Sequence, residues 1–239
     1  YKSTDCKVLN LSELNELYEN GKFSDSVVSV KNDEAFIVYA RITDKAGNTV
    51  YISTDGIIVD TLQSLISVKP VEYKNIYSTN VAVSIDADEN HLLDIKSSGI
   101  KEVNYSVVCN GTETQSGNLY TYNINNPLQT QTVSGKAVID DTTKLVNKFT
   151  DTIIVDAEKN NSSDVIVKVN VEDNAGNVSE ESIVLDIDIT SPQINISYDN
   201  NDANMVEADK GYFPEYRTAT IQIKERTNHF DADKAGQSI

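Results

Sequence analysis

The pentapeptide Asp44-Lys45-Ala46-Gly47-Asn48 recurs as Asp173-Asn174-Ala175-Gly176-Asn177. Each copy follows an alternating, β-branched run and precedes an acidic turn, Asp60-Thr61 in the first case and Asp188-Ile189-Thr190 in the second. Internal repetition constrains a chain more than any single motif, because the repeated unit defines what must fold. The match extends outward from the two glycines. Val38-Tyr39-Ala40-Arg41-Ile42 lies over Val167-Lys168-Val169-Asn170-Val171 at the glycine spacing (176 − 47 = 129). Upstream, Phe23 to Val28 lies over Phe149 to Ile154 at a slightly shorter spacing (149 − 23 = 126). The second copy therefore holds a short insertion, which its Glu158 to Ser163 stretch would accommodate as a polar hairpin tip.

A fainter echo covers the other part of the unit. Asn80 to Ile85 lies over Thr218 to Ile223, and the same spacing (218 − 80 = 138) brings Asn90-His91-Leu92 onto Asn228-His229-Phe230. The repeat divides the chain into the back half of one unit (1–60), one whole unit (61–188) and the front half of another (189–239). Such a layout is expected of a piece cut from a longer protein.

Strand signals dominate. Val27 to Val30, Ala35 to Ile42, Thr49 to Ile52, Gly56 to Val59, Val81 to Ile85, Glu102 to Val108, Leu119 to Ile124, Thr152 to Val155, Val165 to Val171, Ser182 to Ile189, Gln193 to Tyr198 and Thr218 to Ile223 are short and β-branched or aromatic. Asn110-Gly111, Ser116-Gly117 and the two Ala-Gly-Asn triplets read as the breakers between them. Many short strands without long helices predict an all-β fold of sandwich type. One helix is expected, over Leu11 to Tyr18 behind Asn10 and inside a connection between strands. The Asp-Xaa-Ala-Gly-Asn phrase itself reads as a tight turn: Asp bonds back to backbone amides and Gly supplies a positive φ.

Charge narrows the partners. A formal net charge of −17, with 20 Lys and Arg against 37 Asp and Glu, argues against nucleic acid and anionic lipid. The longest apolar run, Ala35 to Ala40, is too short to span a membrane. Cys6 and Cys109 occupy different positions of different units, so two unpaired thiols are expected.

Chemistry-bearing patterns are few. His91 and His229 fall at equivalent repeat positions, each beside an apolar anchor, and do not suggest one pocket. The chain holds no His-Glu-Xaa-Xaa-His, Gly-Xaa-Ser-Xaa-Gly, Walker or Cys-Xaa-Xaa-Cys motif, so no enzyme activity, catalytic residue or organic cofactor is expected. The best metal-ligating set is Asp86, Asp88 and Asn90, whose spacing after a strand suits a hard cation such as calcium. Against it, the repeat register sets Lys224 over Asp86 and Arg226 over Asp88, so the next unit reverses the charge. A solvated acidic loop is the alternative.

Ala40 to Thr49, followed by Ser53 to Thr61, resembles the last strands and interdomain junction of bacterial immunoglobulin-like (Big) repeats. Asp188-Ile189-Thr190-Ser191-Pro192 is similar to the Asp-Thr-Thr-Ala-Pro junction of such arrays. The likeness is sharpest over 36–61 and 165–192, while residues 93–150 depart from the family's usual compactness. It implies tandem immunoglobulin-like β-sandwiches in a secreted or cell-wall-attached protein, serving as stalk, spacer or adhesive module. Neighbouring repeats of the same chain are the implied partners, with a host or cell-wall protein or glycan as ligand. Isopeptide cross-links occur in related surface sandwiches, but spacing singles out no lysine here, Lys168 included. The alternative reading is an accessory module of an extracellular carbohydrate-active enzyme.

Overall fold

A computed structural model describes residues 1–25, 27–89, 97–122, 131–132, 135–139, 145–199, 205–207, 210–212, 216–226 and 229–231. The chain is mostly antiparallel β-structure and divides into two units, Tyr1–Ile187 and Asp188–Ile239. In the first unit β1 (Lys2–Ser3), α1 (Leu11–Glu19), β2 (Glu34–Thr43), β3 (Thr49–Ser53) and β4 (Ile57–Val59) come first. They are followed by β5 (Leu65–Pro70), β6 (Val81–Asp88), β7 (Ile100–Cys109), β8 (Thr112–Thr121), β9 (Gln131–Thr132), β10 (Lys136–Ile139), β11 (Val146–Val155), β12 (Val165–Asp173) and β13 (Val178–Leu185). The second unit holds β14 (Gln193–Tyr198), β15 (Met205–Glu207), β16 (Lys210–Tyr212) and β17 (Ala219–Lys224).

Two sheets enclose the main core. One runs β10-β11-β6-β5 and the other β13-β12-β7-β8-β9. Strict alternation explains why they face each other: Val81, Val83, Ile85 and Ala87 of β6 point inward, as do Val165, Val167, Val169 and Val171 of β12. Phe149 of β11 is flanked across both ladders by small residues, Ala87 and Ala137, and its ring meets that of Tyr120 at 5.7 Å. The Tyr120 hydroxyl lies in this core without a hydrogen-bond partner among the described residues, and burial pushes its pKa up to about 12. Tyr120→Phe removes that unmet group and is expected to raise the stability of the two-sheet core by about 1 kcal/mol, read as a higher urea midpoint.

The N-terminal strands make a smaller sheet, β1-β2-β3, with β4 also paired to β2. Helix α1 forms where expected because Asn10 and Glu13 close a reciprocal capping box. It packs Leu14 on Ile37 and Tyr39, with Tyr1, Phe23 and Tyr51 around them. The pairing register of β2 with β3 repeats that of β12 with β13: Ala40 faces Ile52 as Val169 faces Glu181.

Three local expectations change. Val27 to Val30 takes no strand, although Ile153 and Ile154, the counterparts of Val27 and Val28, lie within β11. Ser116-Gly117 is not a turn but part of β8, where the missing Cβ leaves room for Tyr105; a Cβ on Gly117 would lie 2.8 Å from that ring. The Glu158 to Ser163 stretch is no idle tip, since Asn160 is fully buried and bonds to Thr114, Gln115 and the Asp156 carbonyl. Asn110-Gly111 does turn β7 into β8, both residues having positive φ. Cys6 is exposed and Cys109 buried, and neither forms a disulfide.

Candidate functional site

The two Asp-Xaa-Ala-Gly-Asn turns fold alike. In each, the Asp carboxylate accepts both the backbone N–H and the side-chain amide of the Asn four residues on. Gly47 and Gly176 adopt φ of 91° and 93°, which a side chain would resist. Their surroundings differ. Asp44 is solvent-exposed, and the bonds from Asn48, with help from the Ala46 and Gly47 amides, hold its carboxyl below the ordinary carboxylate range. Asp173 is fully buried.

Burial comes from what the second turn receives. The Asn177 side-chain amide donates to the Asp60 carbonyl at 3.0 Å as well as to Asp173 Oδ2 at 2.7 Å. The Asp60 carboxylate turns inward, accepting the Leu62 and Ser98 amides. Asn174 caps the same place from below, donating its side chain to the Ser98 and Gly99 carbonyls. On the near side Asp33 Oδ1 accepts both the amide and the hydroxyl of Thr61, and Gln63 donates to the Val178 carbonyl. The 60–64 connector is thereby bonded to both the small sheet and the two-sheet core.

Glu89 completes the junction. It follows β6 on the inward phase of that strand, is 6 % exposed, and accepts the Ser64 hydroxyl. One oxygen from each of Asp60, Glu89 and Asp173 lies within 4.8 Å of the others. Ionised carboxylates are acceptors only, so three of them this close need a compensating positive charge or a shared proton. Their hard oxygen donors match calcium or magnesium chemistry, though they supply fewer oxygens than the six to eight of a full calcium shell.

The acidic residues singled out by spacing lie elsewhere. Asp86 and Asp88 sit on the outward phase of β6, where Asp86 accepts the Ser84 and Thr150 hydroxyls and Asp88 pairs with Lys148 at 2.7 Å. Asn90 falls outside the described residues, as does His91. The structure brings Glu89 to the junction, not its two neighbours. That placement was legible: the inward run Val81, Val83, Ile85, Ala87 predicts position 89 as its next member. Asp60 and Asp173 carried no such signal, because their meeting depends on two distant turns.

In the second unit Asp188 occupies the place of Asp60 in the repeat and makes the same local bond, accepting the Thr190 amide. Its other partners are cationic or aromatic. His229 Nδ1 lies at 2.5 Å and Arg226 at 3.8 Å. Burial alone would raise the Asp188 carboxyl, but the His229 ring, the Thr190 amide and Arg226 together hold it below its ordinary value. A depressed folded-state pKa means this carboxylate's contribution is complete above pH about 4 and is lost as pH falls through the folded value. The protection factors of amides in β14 and β17, taken relative to the intrinsic rate that itself slows toward pH 3, are therefore expected to drop as the pH falls from 5 to 2, and Asp188→Asn is expected to abolish that dependence.

An open groove of about 370 Å³ is lined by Pro70, Tyr73, Lys74, Tyr77, Leu185 and Asp186, with Tyr73 81 % exposed at its rim. Among the described residues no helix is long and apolar enough to cross a membrane. No protein-family model matches the chain, and no curated protein matches it either.

Proposed function

We propose that this chain is a non-catalytic segment of tandem immunoglobulin-like repeats from a secreted or cell-wall-attached bacterial protein, serving as a stalk or spacer. The observation that carries this reading is the bonded connector. Linkers between independent domains are exposed and sparsely contacted. Residues 60–64 instead give hydrogen bonds to Asp33 on one side and to Glu89 and Val178 on the other, and receive one from Asn177. A spacer needs that stiffness, since each free hinge would shorten its reach. The bacterial surface context rests on the resemblance to Big repeats.

Nitrogen-15 relaxation on the whole chain tests the mechanical part. The small sheet and the two-sheet core are expected to share one rotational correlation time, and independent tumbling of 1–60 and 61–187 would overturn the spacer reading. Hydrolysis of a glycan or peptide by the purified chain would overturn the non-catalytic one. A second reading, an accessory carbohydrate-binding module, is favoured by exposed Tyr73 at the rim of the groove, because a bare aromatic face is a platform for sugar rings. Glycan-array binding lost in Tyr73→Ala would support it over the spacer.

A further inference from the structure

Three of the four edge strands of the two-sheet core are blunted. Strand β10 carries a bulge between Val138 and Ile139, β9 is two residues long, and β5 ends on Pro70. Such devices keep sheet edges from pairing with other chains. The fourth, β13, is eight residues long and pairs with β12 from Val178 to Leu185 without a register shift.

Two hydrogen bonds fix which way its backbone faces. The Gln63 side chain donates to the Val178 carbonyl, and the Tyr77 amide donates to the Asp186 carbonyl. Neither donor belongs to β12, so both carbonyls face the free side. Backbone groups alternate along a paired strand, and Glu180, Ser182 and Val184 therefore turn their N–H and C=O groups the same way. All three residues are exposed, Val184 at 65 %. Among the described residues no strand pairs with this stretch on its free side. Just beyond it Tyr77 makes a single parallel bridge to Ile187, so the geometry of this edge admits a further strand. Past Val184 the edge opens into the groove of about 370 Å³ lined by Pro70, Tyr77 and Leu185, which has room for an apolar side chain.

We propose that this edge binds an extended, basic polypeptide segment of another protein, which adds to β13 as an outer strand and seats an apolar side chain in the groove. Charge selects the partner. Glu180 and Glu181 are exposed on the edge strand and Asp186 lines the groove, whereas Lys74 is held by Glu72 at 3.4 Å and Lys168 lies on the neighbouring strand. A second copy of this chain would bring the same carboxylates and a net charge of −17 to the contact, which opposes it. A strand bearing Lys or Arg meets complementary charge, and its backbone supplies the bonds that the edge lacks. Such binding is separate from any role as a spacer.

Fluorescence anisotropy with the whole chain and the end-capped peptide Lys-Val-Lys-Phe-Lys-Val-Lys tests this. Wild type is expected to bind it about tenfold more tightly than Glu-Val-Glu-Phe-Glu-Val-Glu, and the double variant Glu180→Lys, Glu181→Lys to lose most of that preference. Both substituted side chains are exposed, so the variant should keep the wild-type circular dichroism. Two N-methylated peptides separate strand addition from charge alone: methyl groups on the apolar residues block one edge of the peptide, and methyl groups on the lysines block the other. Only one of the two should lose affinity, by about tenfold, and the amides of Glu180, Ser182 and Val184 should gain exchange protection in the complex. Absence of binding at millimolar peptide, equal affinity for the two methylated forms, or protection confined to other strands overturns the proposal. So does a wild-type dimer in sedimentation whose formation protects the same amides, because a second copy would then be the occupant.

Discussion

Asn177→Ala is expected to destabilise the first unit by about 2–3 kcal/mol, whereas Asn48→Ala, the same change in the other copy of the motif, should cost about 0.5 kcal/mol or less. Both substitutions keep the backbone of the turn and remove one side-chain amide. At Asn48 that amide serves only an exposed carboxylate, which water can solvate in its place. At Asn177 it serves the fully buried Asp173 and the Asp60 carbonyl together. Water cannot readily replace it there, so the variant leaves two acceptors short of a donor. Urea midpoints of the two variants, compared with wild type, measure the difference. Equal losses would mean that the junction around Asp60 adds nothing to the turn. The effect on mechanics is separable: Asn177→Ala should also let 1–60 reorient faster in nitrogen-15 relaxation, which Asn48→Ala should not.

Truncation of Phe149 has the largest expected effect on the core. The ring is 1 % exposed and sits between Ala87 and Ala137, against Tyr120. Phe149→Ala is expected to cost about 3–5 kcal/mol, because neighbours that small cannot collapse into the space. Typical domains have about 5–15 kcal/mol in all, so partial unfolding near body temperature is the visible consequence. The opposite error is costly too. A Cβ on Gly135 would come within 2.4 Å of the Phe149 ring and 2.9 Å of the Thr150 carbonyl, so Gly135→Ala is expected to destabilise by about 1–3 kcal/mol. Combining Gly135→Ala with Phe149→Leu should cost less than the sum of the separate losses, since the smaller side chain vacates the space that the methyl needs. Thermal unfolding of the two single variants and the pair reads this coupling directly.

The same phenylalanine shows where repetition in sequence stops predicting structure. Phe23 occupies the Phe149 position of the first copy, yet it packs with Tyr1, Tyr18 and Tyr51 beside α1. The residues after it form no strand, whereas those after Phe149 extend β11 along β6. A strand is defined by the neighbour that takes its hydrogen bonds. Among the described residues of 1–60 no strand takes the part that β6 takes beside β11. Strands β1, β5, β9, β10, β15 and β16 escaped the sequence reading for the converse reason. They are short, or carry Ser, Lys, Gly or Pro, and tertiary pairing overrides their weak propensity.

Local features follow from the order of residues alone: the all-β character, the capped helix at Leu11, the two like-folded Asp-Xaa-Ala-Gly-Asn turns, and the alternation that turns Glu89 inward with Val81, Val83, Ile85 and Ala87. These follow from φ preferences, capping and period-two patterning, which act over a few residues. Long-range packing, by contrast, buries one of the two turns, brings Asp60 and Asp173 to Glu89, and gives Asp188 His229 and Arg226 as partners. Each of those outcomes brings together side chains far apart in the chain, and a carboxylate's partners are fixed by which strands close around it.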